Sequence, residues 1–169
     1  MSLNDRLRDD LTAAMRSGDA LRRDTLRMAQ SAAYAVEKDK RRPLTDEELQ
    51  AVLGREVKTR RESVDAFRAG GREDLAAKEE AEIAILTPYL PQQLSEDEVR
   101  DIVTEAIAAT GASSARDMGK VMGWLSPKTR GRADGKRVSE LVAQALASAD
   151  LSAHPETHAP AAARHAPEG

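Results

Sequence analysis

"TPYLPQQLSEDE", residues 87–98, is the stretch that decides how this chain is built. Pro88 and Pro91 stand three apart, and a residue before proline is driven out of the α conformation, so a helix arriving from the N-terminal side stops by Thr87. Ser95 then offers its hydroxyl to the free amides of a new helix, and Glu98 reaches back three residues to complete a capping box. A stiff linker between two helical runs predicts two helical units, 1–90 and 91–148.

Upstream of the linker, Leu3, Leu7, Leu11 and Met15 recur every fourth residue, one apolar stripe of a helix that Gly18 ends. Leu21, Met28, Ala29, Ala32 and Val36 continue the helical pattern as far as Pro43. Thr45 and Glu48 form a second capping box, and Leu49, Val52, Leu53, Val57, Val64 and Phe67 follow it toward Gly70 and Gly71, a helix of about 24 residues. Leu75, Ile83, Ile85 and Leu86 mark a fourth. Downstream, three shorter helices are expected over 95–110, 114–125 and 135–147, with Gly111 closing the first. Residues 149–169 carry Pro, Ala and His without apolar periodicity and predict a disordered tail.

Composition agrees with an all-α fold of two helical bundles, the first of roughly four helices and the second of three. The 169 residues are 40% hydrophobic, enough for a core, and only 2% aromatic, which disfavours strands. The absence of Cys excludes thiol catalysis, disulfides and Cys-ligated zinc. "MSLNDRLRDD" at the start lacks the apolar segment of a secretory signal, and no run approaches the ~18 apolar residues of a membrane span. The expected setting is cytoplasmic, with no membrane partner.

The remaining chemistry is sparse. His154, His158 and His165 all fall in the tail, where Pro155 and Pro160 oppose a metal-binding helical face. Ser95 and Ser114 read as helix caps rather than nucleophiles. Glu79, Glu80 and Glu82 read as a solvated helix face, since nothing around them marks a pocket. No catalytic residue, metal site or cofactor is expected.

Charge is the informative quantity. The net charge is −3, yet residues 72–105 hold ten acids against three bases, while residues 106–148 hold seven bases against three acids. A polyanion should meet the second region. Its densest part is "SPKTRGRADGKR", residues 126–137, with five bases, two glycines and one acid. The phosphate-binding Gly-rich motif does not fit: Gly131 and Gly135 have three residues between them instead of four, and Arg137 follows Lys136 where Ser or Thr belongs. What survives is an RNA-binding reading in which Lys120, Lys128, Arg130, Arg132, Lys136 and Arg137 present cations and Gly131 permits the turn. Lys136 and Arg137 open a helix, where the dipole opposes them and a phosphate would relieve the conflict. The plain alternative is that the glycines merely allow a turn and the cations are hydrated. Upstream, Gly119 and Gly123 stand four apart and forfeit about 1 kcal/mol each of helix propensity, as though something approaches that face closely. Trp124 reads as core.

"GASSARDMGKVMGWLSPKTRGRADGKRVSELV", residues 111–142, resembles the GatB/YqeY family, in particular its free-standing YqeY-like members. The likeness extends through residues 90–107 and, more loosely, 9–28. The family motif falls on Gly119, Lys120, Met122, Lys128, Gly131, Ala133, Asp134 and Gly135, while Trp124 stands where relatives tend to have a smaller residue. The resemblance implies a helical bundle followed by a three-helix unit similar to the tail domain of the B subunit of the tRNA-dependent amidotransferase. In that enzyme the tail contacts transfer RNA and the chemistry occurs elsewhere. Structured RNA, specifically tRNA, is therefore one expected partner. The alternative is a helical adaptor docking on a glutamine-dependent amidotransferase or an aminoacyl-tRNA synthetase through the acidic stretch 72–105. A carbon–nitrogen ligase activity is implied by family association only and is opposed by the residue inventory.

Overall fold

The computed structural model describes residues 1–153, and the three histidines lie outside the described residues. Among the described residues the protein is all-α: α1 (Leu3–Ser17), α2 (Ala20–Lys40), α3 (Asp46–Ala69), α4 (Glu73–Leu86), α5 (Glu96–Thr110), α6 (Met118–Thr129) and α7 (Gly135–Ala153), with short 3-10 turns at Thr87–Tyr89 and Ala115–Asp117. It divides into two compact units, one of Met1–Leu94 with Arg130–Asp134, the other of Ser95–Thr129 with Gly135 onward.

The helix ends follow from local chemistry. Ser2, Thr45, Ser95 and Ser114 each accept a hydrogen bond from an amide of the turn they open, and Asp5, Glu48, Glu98 and Asp117 return the bond to the cap. Gly18 and Gly111 stop α1 and α5 in the left-handed conformation, at φ 73° and 67°. The end of α2 is different: Arg41 takes φ 56°, a conformation that costs a side chain with Cβ more than it costs glycine.

In the first unit, Leu7 of α1, Leu26, Ala29 and Ala33 of α2, Leu49, Leu53 and Val57 of α3, Leu86 of α4 and Tyr89 form one buried cluster. Burying each of those leucines contributes roughly 1.5–3 kcal/mol. Tyr89 closes the cluster, with its hydroxyl donating to the Asp10 carboxylate and the Arg6 guanidinium 4.8 Å from its ring centroid. Burial and then that bond to Asp10 push the phenol from its ordinary 10 up to about 12.

One acid pair departs from expectation. Glu82 is buried rather than solvated, because Arg60 of α3 is buried beside it, 5% exposed, and donates to it at 2.9 Å. Arg60 also donates to the Glu56 carboxylate at 2.9 Å and to the Glu56 carbonyl at 3.0 Å. Glu80 is matched by Arg68 at 2.7 Å. This cluster is an internal charge network along α3 and α4.

In the second unit, Val99, Val103 and Ala106 of α5, Val121 and Leu125 of α6, and Val138, Leu141, Val142 and Leu146 of α7 supply the buried side chains. Two boundaries differ from the sequence reading. The helix expected over 114–125 begins as a 3-10 turn and then runs as α6 through Pro127 to Thr129. Pro127 has no amide to donate to the Gly123 carbonyl, so the last turn of α6 lacks one rung. Residues 149–153 continue α7 instead of beginning a disordered tail, and the rest of that expected tail lies outside the described residues.

Candidate nucleic-acid interface

The basic segment splits into three local environments. The first is the outer face of α6. Val121, Leu125 and Thr129 recur every four residues and are buried, which leaves Gly119, Lys120 and Gly123 on the far side of the helix and Trp124 and Lys128 on its flank. The start of this helix is fixed by Asp117, whose carboxylate accepts from the Ser113 amide at 2.9 Å and the Ser114 amide at 3.4 Å. Those backbone donors, the Ser113 amide foremost, hold its pKa below the ordinary carboxylate value, with the Lys120 ammonium adding to the effect. Lys120 lies 3.9 Å from Asp117 and remains exposed.

Two turns along, the Lys128 ammonium sits 3.8 Å from the centroid of the Trp124 ring. Trp124 is half-buried, so the expectation that it is a core residue gives way to a platform under a cation. The contact is a cation–π pair, of order 0.5–1 kcal/mol at an exposed site, and it steadies a lysine that remains exposed. A Trp–Lys spacing of four within a helix is the signal that predicts it.

Gly119 and Gly123 belong to the same face. A Cβ built on either meets nothing within 4 Å. Packing within the described chain therefore does not require these glycines, and their bare backbone remains open to close approach beside Lys120.

The second environment is the loop Arg130–Asp134, part of the first unit. Gly131 takes φ 74°, where glycine is favoured. The Gln93 side-chain amide donates to the Gly131 carbonyl at 2.8 Å, the Leu94 amide to the Arg132 carbonyl at 2.7 Å, and Arg132 Nε to the Gln92 carbonyl at 3.0 Å. The loop is pinned, and Arg132 is half-buried in the act of pinning it. Arg130 remains exposed, with no hydrogen-bond or ion-pair partner among the described residues.

The third environment is the first turn of α7. Lys136 is exposed, and Arg137 forks onto Glu96 at 2.8 and 3.1 Å and onto Glu140 at 3.1 Å. Glu96, and after it Glu140, raises the Arg137 pKa still further, and Arg137 in turn lowers that of Glu96. The dipole conflict that a phosphate was expected to relieve is met at Arg137 by two carboxylates and joins the starts of α5 and α7. Sequence spacing alone does not reveal this, because Glu96 is 41 residues away.

The acidic stretch is similarly occupied. Glu73 and Glu80 pair with Arg68, Asp74 with Arg72, Glu82 with Arg60, and Glu96 with Arg137 and Arg100, while Glu98 serves its cap. Among the described residues there is no cluster of three His, Cys, Asp or Glu side chains arranged to hold a metal ion.

Residues 4–146, which include α6 and the loop after it, match the family described as Yqey-like protein. The chain belongs to the YqeY-like protein family. This YqeY-like chain is 30% identical over 144 residues to "Altered inheritance of mitochondria protein 41, mitochondrial" of Pyrenophora tritici-repentis, covering 83% of the chain and 79% of the relative. It is 30% identical over 139 residues to the protein of that name in Lachancea thermotolerans, covering 78% and 74%. With the protein of the same name in Eremothecium gossypii it shares 34% identity over 85 residues, half of this chain and 46% of that one. These names overturn the expectation of a cytoplasmic setting, since all three relatives are called mitochondrial. The expectation rested on the lack of a secretory apolar segment and of a membrane span, and neither feature bears on an organelle address. No helix among the described residues is long and apolar enough to cross a membrane.

Proposed function

We propose that this YqeY-like chain is a non-catalytic accessory module that binds structured RNA, tRNA in particular, by its phosphate backbone. The observation that carries the reading is the outer face of α6, where Gly119, Lys120 and Gly123 stand exposed with open space above the glycines and Lys128 stands exposed over the ring of Trp124. Eight residues apart, the two lysines are separated by about 12 Å along the helix. Cations bordering bare backbone suit a polyanion that must come close, and contacts of this kind position an RNA without reading its sequence. Arg130 and Lys136 are further exposed cations of the same segment. Arg132 and Arg137 contribute mainly to local structure, through Gln92 and through Glu96 with Glu140. Service to an amidotransferase or aminoacyl-tRNA synthetase belongs to the same proposal, with the RNA as the shared ligand. The rival adaptor surface has less support because most acids of the stretch 72–105 already hold internal partners.

The test is a titration of tRNA against salt. The logarithm of the affinity should fall linearly with the logarithm of salt concentration, and Lys120→Ala with Lys128→Ala should flatten the slope by about one per lost contact. An unchanged slope in a folded double variant refutes the assignment to α6.

A further inference from the structure

Helix α2 of the first unit carries a second cationic face that neither the charge count nor the family motif indicates. Arg27, Ser31, Tyr34, Lys38 and Arg41 follow one another at intervals of four, three, four and three residues, and all five are exposed. That spacing places them along one side of the helix, about 21 Å from end to end. Between residues 27 and 42 there are five bases and two acids, and neither acid stands on this line. Lys38 and Arg41 have no ion-pair or hydrogen-bond partner among the described residues, whereas their neighbours Lys40 and Arg42 are both matched by Glu48. Tyr34 lies at the middle of the line, 67% exposed, although the rest of the chain's small aromatic inventory includes the fully buried Tyr89.

We infer that this face of α2 is a second contact surface for the same RNA, with Lys38, Arg41 and Arg27 on phosphates and Tyr34 stacked on an unpaired base or a terminal pair. The inference rests on the RNA reading of the preceding subsection. The charge is complementary to a polyanion, and an exposed tyrosine flanked by cations matches the way proteins hold bases whose π-face is free. An anionic lipid surface fits less well, because the line holds one aromatic and no Leu, Ile, Val or Phe to enter a bilayer. With α6 supplying a contact in the other unit, each unit carries a cationic face of its own.

The experiment uses the full chain and a tRNA transcript, followed by fluorescence anisotropy at several salt concentrations. Arg27→Gln, Lys38→Gln and Arg41→Asn are combined in one variant, Asn being chosen because it tolerates the positive φ of position 41. The triple variant should retain its helical circular dichroism and lose up to about three from the salt slope. Tyr34→Ala should weaken binding at least about fivefold. Amide shifts on RNA addition should appear along 27–41 as well as along α6.

Wild-type affinity and slope in both α2 variants, together with a loss in the Lys120/Lys128 variant, would overturn the second surface and leave the first standing. Absence of RNA binding by the wild-type chain removes both. Co-sedimentation with phosphatidylserine vesicles that depends on Lys38 and Arg41, with RNA binding unaffected, assigns the face to lipid and ends the inference.

Discussion

Arg60 of α3 and Lys128 of α6 are both helix cations with a partner at hand, and they do opposite things. Arg60 is enclosed among Glu82, Glu56 and the Glu56 carbonyl, so its charge is consumed in holding the first unit together. Lys128 rests on an indole face in the second unit and stays exposed. The contrast shows why a count of charges along a chain is a poor guide to its binding surfaces. What matters is whether an acid shares the environment of each base, because an internal carboxylate competes directly with an external phosphate.

The largest effect should come from breaking the enclosed side of the comparison. Arg60→Ala strands two carboxylates and should cost roughly 3–5 kcal/mol in urea denaturation, whereas replacing Arg60 by Met together with Glu82 by Leu should recover most of that loss. If the single variant is as stable as the wild type, the network is not the structural element it resembles. RNA affinity measured on the folded fraction should be unchanged in both.

Tyr89 gives the next effect, at alkaline pH. Its phenol ionises near 10 when unfolded and near 12 when folded, so the unfolded state loses its proton first. The corresponding stability is present below pH 10 and is lost as pH rises from 10 to 12, by up to roughly 2–3 kcal/mol. Tyr89→Phe should remove that alkaline loss from a series of denaturation curves.

On the exposed side, Gly119→Ala and Gly123→Ala should each raise stability, by about 0.5–1 kcal/mol, because a Cβ there meets nothing and alanine is the better helix former. Both should weaken tRNA binding if the bare backbone is what the RNA approaches. A gain in stability without a loss of affinity confines the contact to the lysines.

The smallest effect concerns Glu48, whose carboxyl is held far below its ordinary 4.5 by hydrogen bonds from Arg42, Lys40 and the Thr45 amide. The folded state resists protonating it, so the stability it lends exists above pH 4.5 and is lost as pH falls further. Glu48→Gln should shallow the acid limb of the stability–pH profile slightly, as exposed pairs contribute little.

Much of this was legible from short stretches. The capping boxes at Thr45 and Ser95 and the stops at Gly18 and Gly111 occupy the expected places because each depends only on residues three or four apart. The burial of Glu82, the diversion of Arg137 to Glu96 and the pinning of Arg132 on Gln92 were not legible. In each the partner is 22 to 41 residues away. The Trp124–Lys128 pair stands between these cases: its spacing is local, but the choice between core and platform depends on which face of α6 the unit buries.

The amino-acid order by itself determined the all-α fold, the caps at Thr45 and Ser95, the stops at Gly18 and Gly111, and the family, since backbone preference, capping and apolar period all act within one or two turns. Tertiary structure decided which charges are free. Only packing brings the acid of Glu96 to Arg137 and leaves Lys128 exposed over Trp124, and desolvation and pairing then set what each has left to offer a ligand.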